Sequence, residues 1–130
     1  MSDSGLLHAL LGLKSKRDLK GHPKVGASWE GFALNQVRAR LRAPSDACFF
    51  WATHADAEID LIVVKGLEKT GFEFKRTSSP KLTKSMHIAM QDLNLKRLYV
   101  IHAGQHKFKL DKNVEAIPIE QIITALKPMF

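Results

Sequence analysis

The sequence is poor in cysteine, with Cys48 alone among 130 residues. That excludes an internal disulfide framework and a zinc site built on cysteines, and turns any metal chemistry toward oxygen ligands. Long apolar runs are missing as well. The longest, such as Ile59–Val64, is interrupted by Asp60 and falls far short of the roughly 20 residues that span a bilayer. No basic leader, apolar stretch and cleavage site occur together at the start, so no signal peptide is expected and the expected setting is the cytoplasm. Nucleotide-binding signatures are absent: there is no Gly-x4-Gly-Lys-Ser/Thr loop and no Gly-x-Gly-x-x-Gly, so no nucleotide site is expected in this chain. None of the six histidines forms a His-Glu-x-x-His pair, and there is no Gly-x-Ser-x-Gly elbow. Internal repeats, heptads and low-complexity tracts are also lacking. Acidic residues are in deficit, 13 against 20 Lys and Arg, which leaves a net charge of +7 and favours a polyanionic partner.

What is present describes an ordered domain. A composition of 45% hydrophobic and 25% charged residues is globular, and a chain of this size hides roughly two-thirds of its unfolded surface, enough for a core without staples. We expect one domain over residues 1–130, with residues 4–13 a short apolar helix and residues 14–27 a basic, Gly- and Pro-containing loop leading into the core. Ser28 is a good N-cap for a helix over 29–42, whose apolar positions Trp29, Phe32, Ala33, Val37 and Leu41 recur at helical spacing. Three strands follow, at 47–53, 58–65 and 72–75, with connectors at 54–57 and 66–71 short enough to force an antiparallel meander. Pro80 opens a helix at about 81–93, and 98–102 reads as a strand parallel to 72–75 because the helix supplies the crossover. Residues 107–110 and 114–117 read as edge strands and 120–127 as a last helix. The sum is an α/β arrangement of three layers, a mixed sheet with an antiparallel meander flanked by helices.

Asp60 is the informative anomaly, a carboxylate in an apolar strand, costly in a dry interior unless paired or bound to a cation. Beside it in the meander runs Glu73-Phe74-Lys75. Alternation places Glu73 and Lys75 on one face, roughly 7 Å apart, and Phe74 on the other. Asp-x12-Glu-x-Lys suits metal-assisted phosphodiester hydrolysis. Asp60 and Glu73 offer hard oxygen ligands to Mg²⁺ or Mn²⁺, the Phe74 carbonyl can add a third, and Lys75 can orient a water and stabilise an anionic transition state. Glu30, early in the first helix, can join them if that helix packs on the sheet. Seen singly, each has a bland reading: a strand Glu-x-Lys is usually a surface ion pair, and a helix glutamate is usually solvated.

The stretches His22-Pro-Lys-Val-Gly-Ala-Ser-Trp-Glu-Gly-Phe, Phe50-Trp-Ala-Thr-His-Ala-Asp-Ala-Glu-Ile-Asp-Leu and Gly71-Phe-Glu-Phe-Lys-Arg-Thr-Ser-Ser-Pro resemble the C-terminal domain found on many bacterial and archaeal AAA-type ATPases. The resemblance runs from Asp3 to Pro118. That domain is similar in motif layout to the PD-(D/E)xK, or restriction-endonuclease-like, nucleases. The resemblance implies a restriction-endonuclease-like core, with Glu30 as the helix glutamate, Asp60 and Glu73 as metal-binding acids and Lys75 as the catalytic lysine. One departure is that Gln91 is not followed by tyrosine four positions on, where Leu95 stands. Another is that these 130 residues hold neither an ATPase module nor a winged-helix segment, so ATP hydrolysis is not expected of them.

Basic residues cluster near these motifs. Arg76, Lys81 and Lys84 directly follow Lys75 and are the expected phosphate-backbone contacts, with the hydroxyls of Thr77 and Ser78 beside them. The expected function is metal-dependent hydrolysis of nucleic acid. The competing expectation is a non-catalytic domain that docks an AAA-type ATPase or binds DNA. No membrane partner is expected, and self-association is compatible with the sequence.

Overall fold

The computed structural model describes residues 29–53 and 57–130. The expected helix over 4–13, the basic loop over 14–27, Ser28 and most of the 54–57 connector lie outside the described residues. Helix α1 spans Trp29–Leu41. Strands β1 (Cys48–Ala52), β2 (Glu58–Lys65) and β3 (Glu68–Lys75) follow, then helix α2 (Lys84–Asp92), strands β4 (Arg97–His102), β5 (Phe108–Asp111) and β6 (Val114–Pro118), and the short helix α3 (Ile122–Ala125). The six strands make one sheet in the order β1-β2-β3-β4-β6-β5. The β1–β2, β2–β3 and β5–β6 pairs are antiparallel, and the β3–β4 and β4–β6 pairs are parallel. This is a mixed α/β fold with a largely antiparallel sheet flanked by helices.

Each sheet face has its own core. Ala33, Leu34, Val37 and Leu41 of α1 pack on Phe50, Leu61, Val63, Phe72, Phe74, Ile101 and Ile117. Met86 and Ala89 of α2, with Leu93, pack on Phe49, Trp51, Ile59, Ile62, Leu98, Val100 and Ala116 on the other face. Trp51 is a core residue, as its strand neighbours suggest, and Cys48 is buried beside Phe50's layer, where burial raises its thiol pKa against the opposing pull of Arg38. Phe32 departs from the expected stripe. It stands 51% exposed, and Leu34 takes the buried position instead.

Local chemistry sets the ends of the elements. Both longer helices close in Schellman motifs. The N–H groups of Leu95 and Asn94 bond the carbonyls of Met90 and Gln91, and those of Ala43 and Arg42 bond Arg38 and Ala39, with Asn94 and Arg42 at positive φ. Helix α2 begins later than Pro80, because Thr83 is the N-cap and its hydroxyl accepts the Met86 N–H. The expected 120–127 helix shortens to a 3₁₀ turn followed by α3.

Two strand expectations need correction. β3 starts at Glu68, not Phe72, because Lys65 pairs with Glu68 and the turn is only Gly66-Leu67. Gly66 has φ of 63° and Leu67 does not share that sign, the pattern of a type II′ hairpin turn. Gly71 marks no turn. It lies inside β3, where a Cβ would come within 2.9 Å of Leu95 Cδ1 and 3.0 Å of Leu98 Cδ1. β6 is not an edge strand either: it is inserted between β4 and β5, and β5 alone of the two forms the edge.

Candidate functional site

The site forms where β2 and β3 come apart. On β2, Ile59 faces Trp51 while Ile62 faces Phe49, so Asp60 and Leu61 together oppose the single residue Phe50. That extra residue is a β-bulge, a device that breaks alternation and re-aims a side chain. On the other side, the β2–β3 ladder runs from Lys65 opposite Glu68 to Leu61 opposite Phe72 and goes no further. Beyond it the strands exchange side chain for backbone. The Asp60 N–H donates to Glu73 Oε1 at 2.9 Å, and the Phe74 N–H donates to Asp60 Oδ2 at 3.0 Å. The two carboxylates therefore occupy one fork, each held by the opposite strand.

Both acids are deeply buried, Asp60 at 1% and Glu73 at 3% exposure. Lys75 is the partly exposed member of the group. Its Nζ lies 3.5 Å from Glu73 Oε2, with 38% of the side chain exposed. Alternation holds as expected: Phe72 and Phe74 enter the α1 side of the core, which leaves Glu73 and Lys75 on the α2 side. The start of α2 closes over this end of the sheet, where Ser85 Oγ accepts the Glu58 N–H at 2.9 Å.

Glu30 lies on α1. It is half-buried in the first turn of α1, the helix that covers the opposite sheet face. Among the described residues, no three His, Cys, Asp or Glu side chains converge as a metal-holding group. The expected phosphate contacts follow Lys75 in sequence and are exposed. Arg76, Thr77, Ser78 and Lys81 are exposed on the segment that joins Lys75 to α2, and Lys84 is exposed as the first residue of α2. Thr77 holds a local turn: its hydroxyl accepts the Ser79 N–H and its carbonyl accepts the Ala103 N–H.

His102 is the neighbour that sequence reasoning missed. It ends β4 directly opposite Lys75 in the parallel register. The signal was available, a histidine closing an apolar strand expected to run beside Lys75. It is fully buried, its Nδ1 accepts the Gly104 N–H at 3.0 Å, and its ring tilts against Phe108 at 5.7 Å. Nε2, which then carries the proton, finds no partner at hydrogen-bonding distance among the described residues. Gly104 is required here, since a Cβ would stand 2.7 Å from the Ser78 carbonyl oxygen and 2.9 Å from His102 Nδ1. The loop after β4 is thereby pressed against the loop that carries Thr77 and Ser78.

Burial lowers the His102 pKa from the ordinary histidine value, with the backbone at His106 pulling weakly the other way. The folded-state value lies below the unfolded one, so the unfolded chain binds the proton first as the pH falls. Stability is intact above about pH 6.5 and declines as the pH drops through that value toward the lowered one. Urea midpoints measured on the two sides of that pH will fall in the wild type, and His102→Gln will flatten the fall. Equal slopes in the two proteins would remove His102 from the pH response.

The fold and the fork together define a class, a mixed α/β domain whose acid, acid and lysine on adjacent strands are consistent with the PD-(D/E)xK arrangement. Residues 25–122 match the family described as Domain of unknown function (DUF4143). The chain belongs to that family, a C-terminal domain associated with AAA-type ATPases of bacteria and archaea. Two uncharacterized proteins, one of Mycobacterium tuberculosis and one of Mycobacterium bovis, are each 48% identical to it over 122 residues. That alignment covers 94% of this chain and 27% of each of theirs, so the chain spans about a quarter of the length of these curated relatives. No solved structure matches it. No helix among the described residues is long and apolar enough to cross a membrane.

Proposed function

We propose that the domain hydrolyses phosphodiester bonds in nucleic acid with a divalent cation held by Asp60 and Glu73. The observation that carries this reading is the buried fork: two carboxylates at 1% and 3% exposure, side by side, with an ammonium 3.5 Å from one of them at the solvent opening. The donor set fits a hard cation, since both acids supply oxygen. Bound there, Mg²⁺ or Mn²⁺ would supply charge neutralisation at the phosphate and a more acidic water. The protein's own part is positional. The two backbone N–H bonds fix the carboxylates before any ligand arrives, which lowers the reorganisation needed at the moment of reaction. Lys75, partly exposed, can hold a water or a phosphate oxygen at the mouth. Arg76, Lys81 and Lys84 can draw in the strand, and Thr77 and Ser78 can bond its phosphates. Glu30, early in α1, can add to the site directly or through a water.

Labelled DNA and RNA will be cut in the presence of Mg²⁺ and left whole with chelator, and Lys75→Ala will cut about a hundredfold more slowly. Substrates that stay intact under every condition, or wild-type cutting by Lys75→Ala, would overturn the reading. The second reading, a non-catalytic domain docking an ATPase or DNA, draws on one observation: each carboxylate already serves the opposite backbone as an acceptor. It predicts intact substrate with nucleic acid or ATPase binding retained.

A further inference from the structure

A second basic feature lies away from the fork. Two cavities meet at the beginning of β4, near the end of the β3–β4 ladder where Thr70 faces Arg97, five residue steps from Lys75 opposite His102. At about 3.3 Å per residue that is roughly 17 Å along the strand. The larger cavity, ≈ 550 Å³, has Phe72 and Tyr99 in its floor and the chain from Ala125 to Met129 as a wall. The smaller, ≈ 350 Å³, includes Tyr99, Lys109 and Glu115 and is closed by the β5–β6 turn at Lys112 and Asn113. Arg97 and Tyr99 line both, so the cavities form one groove. Its floor is a straight row across four strands, Phe72, Tyr99, Glu115 and Lys109, set by the pairing register. These side chains share the α1 face, opposite to the one that carries Glu73 and Lys75.

The groove combines cations with an aromatic platform. Lys96, Arg97, Lys109, Lys112 and Lys127 line it, against Glu68 and Glu115. Glu68 is itself held by Lys96 at 3.0 Å. Tyr99 is half-buried and stacks on Phe72, with ring centroids 5.5 Å apart and planes 25° from parallel. A ring fixed in this way offers a rigid surface at little entropic cost. Cations spread along a groove track a phosphate backbone, and a fixed ring accepts any base that is not already stacked in a duplex. A mononucleotide would use only one end of such a charge distribution. We propose that this groove binds single-stranded nucleic acid, with a base stacked on Tyr99 and phosphates on Arg97, Lys109 and Lys112. The proposal does not rest on hydrolysis at the fork.

The test is fluorescence anisotropy of a short labelled oligothymidylate with the full chain, in chelator so that nothing is cut. Tyr99→Ala will weaken binding about tenfold, while Tyr99→Phe, which keeps the ring, will bind like the wild type. Arg97→Ala will reduce the dependence of log affinity on log salt by about one unit. Gln91→Ala, exposed on α2 at the other face of the sheet, will bind normally. Circular dichroism of each variant reports folding, and Tyr99→Phe keeps the test valid if Tyr99→Ala unfolds: a loss of binding in Tyr99→Phe would then count against stacking. The proposal is overturned if the wild type does not bind the oligonucleotide or Tyr99→Ala binds it normally. It is equally overturned if a matched duplex or a free mononucleotide binds as tightly as the strand.

Discussion

Asp60→Asn will lower metal-dependent cleavage about a thousandfold, the rate equivalent of about 4 kcal/mol of transition-state stabilisation, and will leave the fold intact. The amide keeps an oxygen where Asp60 Oδ2 now accepts the Phe74 N–H at 3.0 Å, so the strand fork survives. What disappears is the charge that a divalent ion needs. Asp60→Ala removes the acceptor as well and strands the Phe74 N–H in a buried site, at a cost of about 1–3 kcal/mol in stability. The two variants therefore separate ligand loss from structural loss. Thermal melts with and without Mn²⁺ complete the comparison. The wild type will melt higher with the ion, because ligand binding to the folded state raises stability, and Asp60→Asn will not respond. A thousandfold loss of rate with a wild-type Mn²⁺ response would place the ion elsewhere and leave Asp60 as a framework residue.

The distribution of what could be read from sequence follows the range of the interactions involved. The meander was legible because short connectors leave few alternatives, and the parallel placement of β4 followed from the length of the α2 crossover. That Asp60, Glu73 and Lys75 lie together was legible for a different reason: neighbouring strands and alternation put them side by side, and a charge in an apolar strand needs a partner. The bulge at Asp60-Leu61 was not legible, since it depends on the register against Phe50 across the sheet. Gly71 misled because glycine usually punctuates, whereas here the crowding comes from Leu95 and Leu98, more than 20 positions away. Pro80 misled in the same manner, because the hydroxyl of Thr83 decided where α2 begins. Glu30 illustrates the limit most directly. Helical spacing placed it on α1, but only the tertiary packing determines that α1 covers the face of Phe72 and Phe74 and not the face of Glu73. The Tyr99 groove was invisible for a related reason. Its row of residues comes from four strands and exists only once the register is known.

Phe72→Ala will destabilise the domain strongly, with an expected loss of about 3–5 kcal/mol in urea denaturation. Phe72 is fully buried at the centre of the sheet, opposite Leu61 on one side and Tyr99 on the other. Truncation removes its buried area and leaves a cavity under α1 that the neighbouring strands cannot close without breaking their ladders. Against a total stability of about 5–15 kcal/mol for an ordinary domain, that loss leaves a substantial unfolded population. Phe32→Ala is the matched control, since Phe32 is 51% exposed and contributes little to the core, and its midpoint will stay within about 0.5 kcal/mol of the wild type. The consequence also reaches both proposed sites. Phe72 is the residue before Glu73 in β3 and the stacking partner of Tyr99, so its backbone adjoins the carboxylate fork and its ring supports the aromatic platform. The milder Phe72→Leu, which fills most of the cavity, will keep the fold and the carboxylate fork but lose the ring beneath Tyr99. Oligonucleotide binding will then weaken while cleavage at the fork persists, and equal loss of both would mean that the two faces do not respond independently.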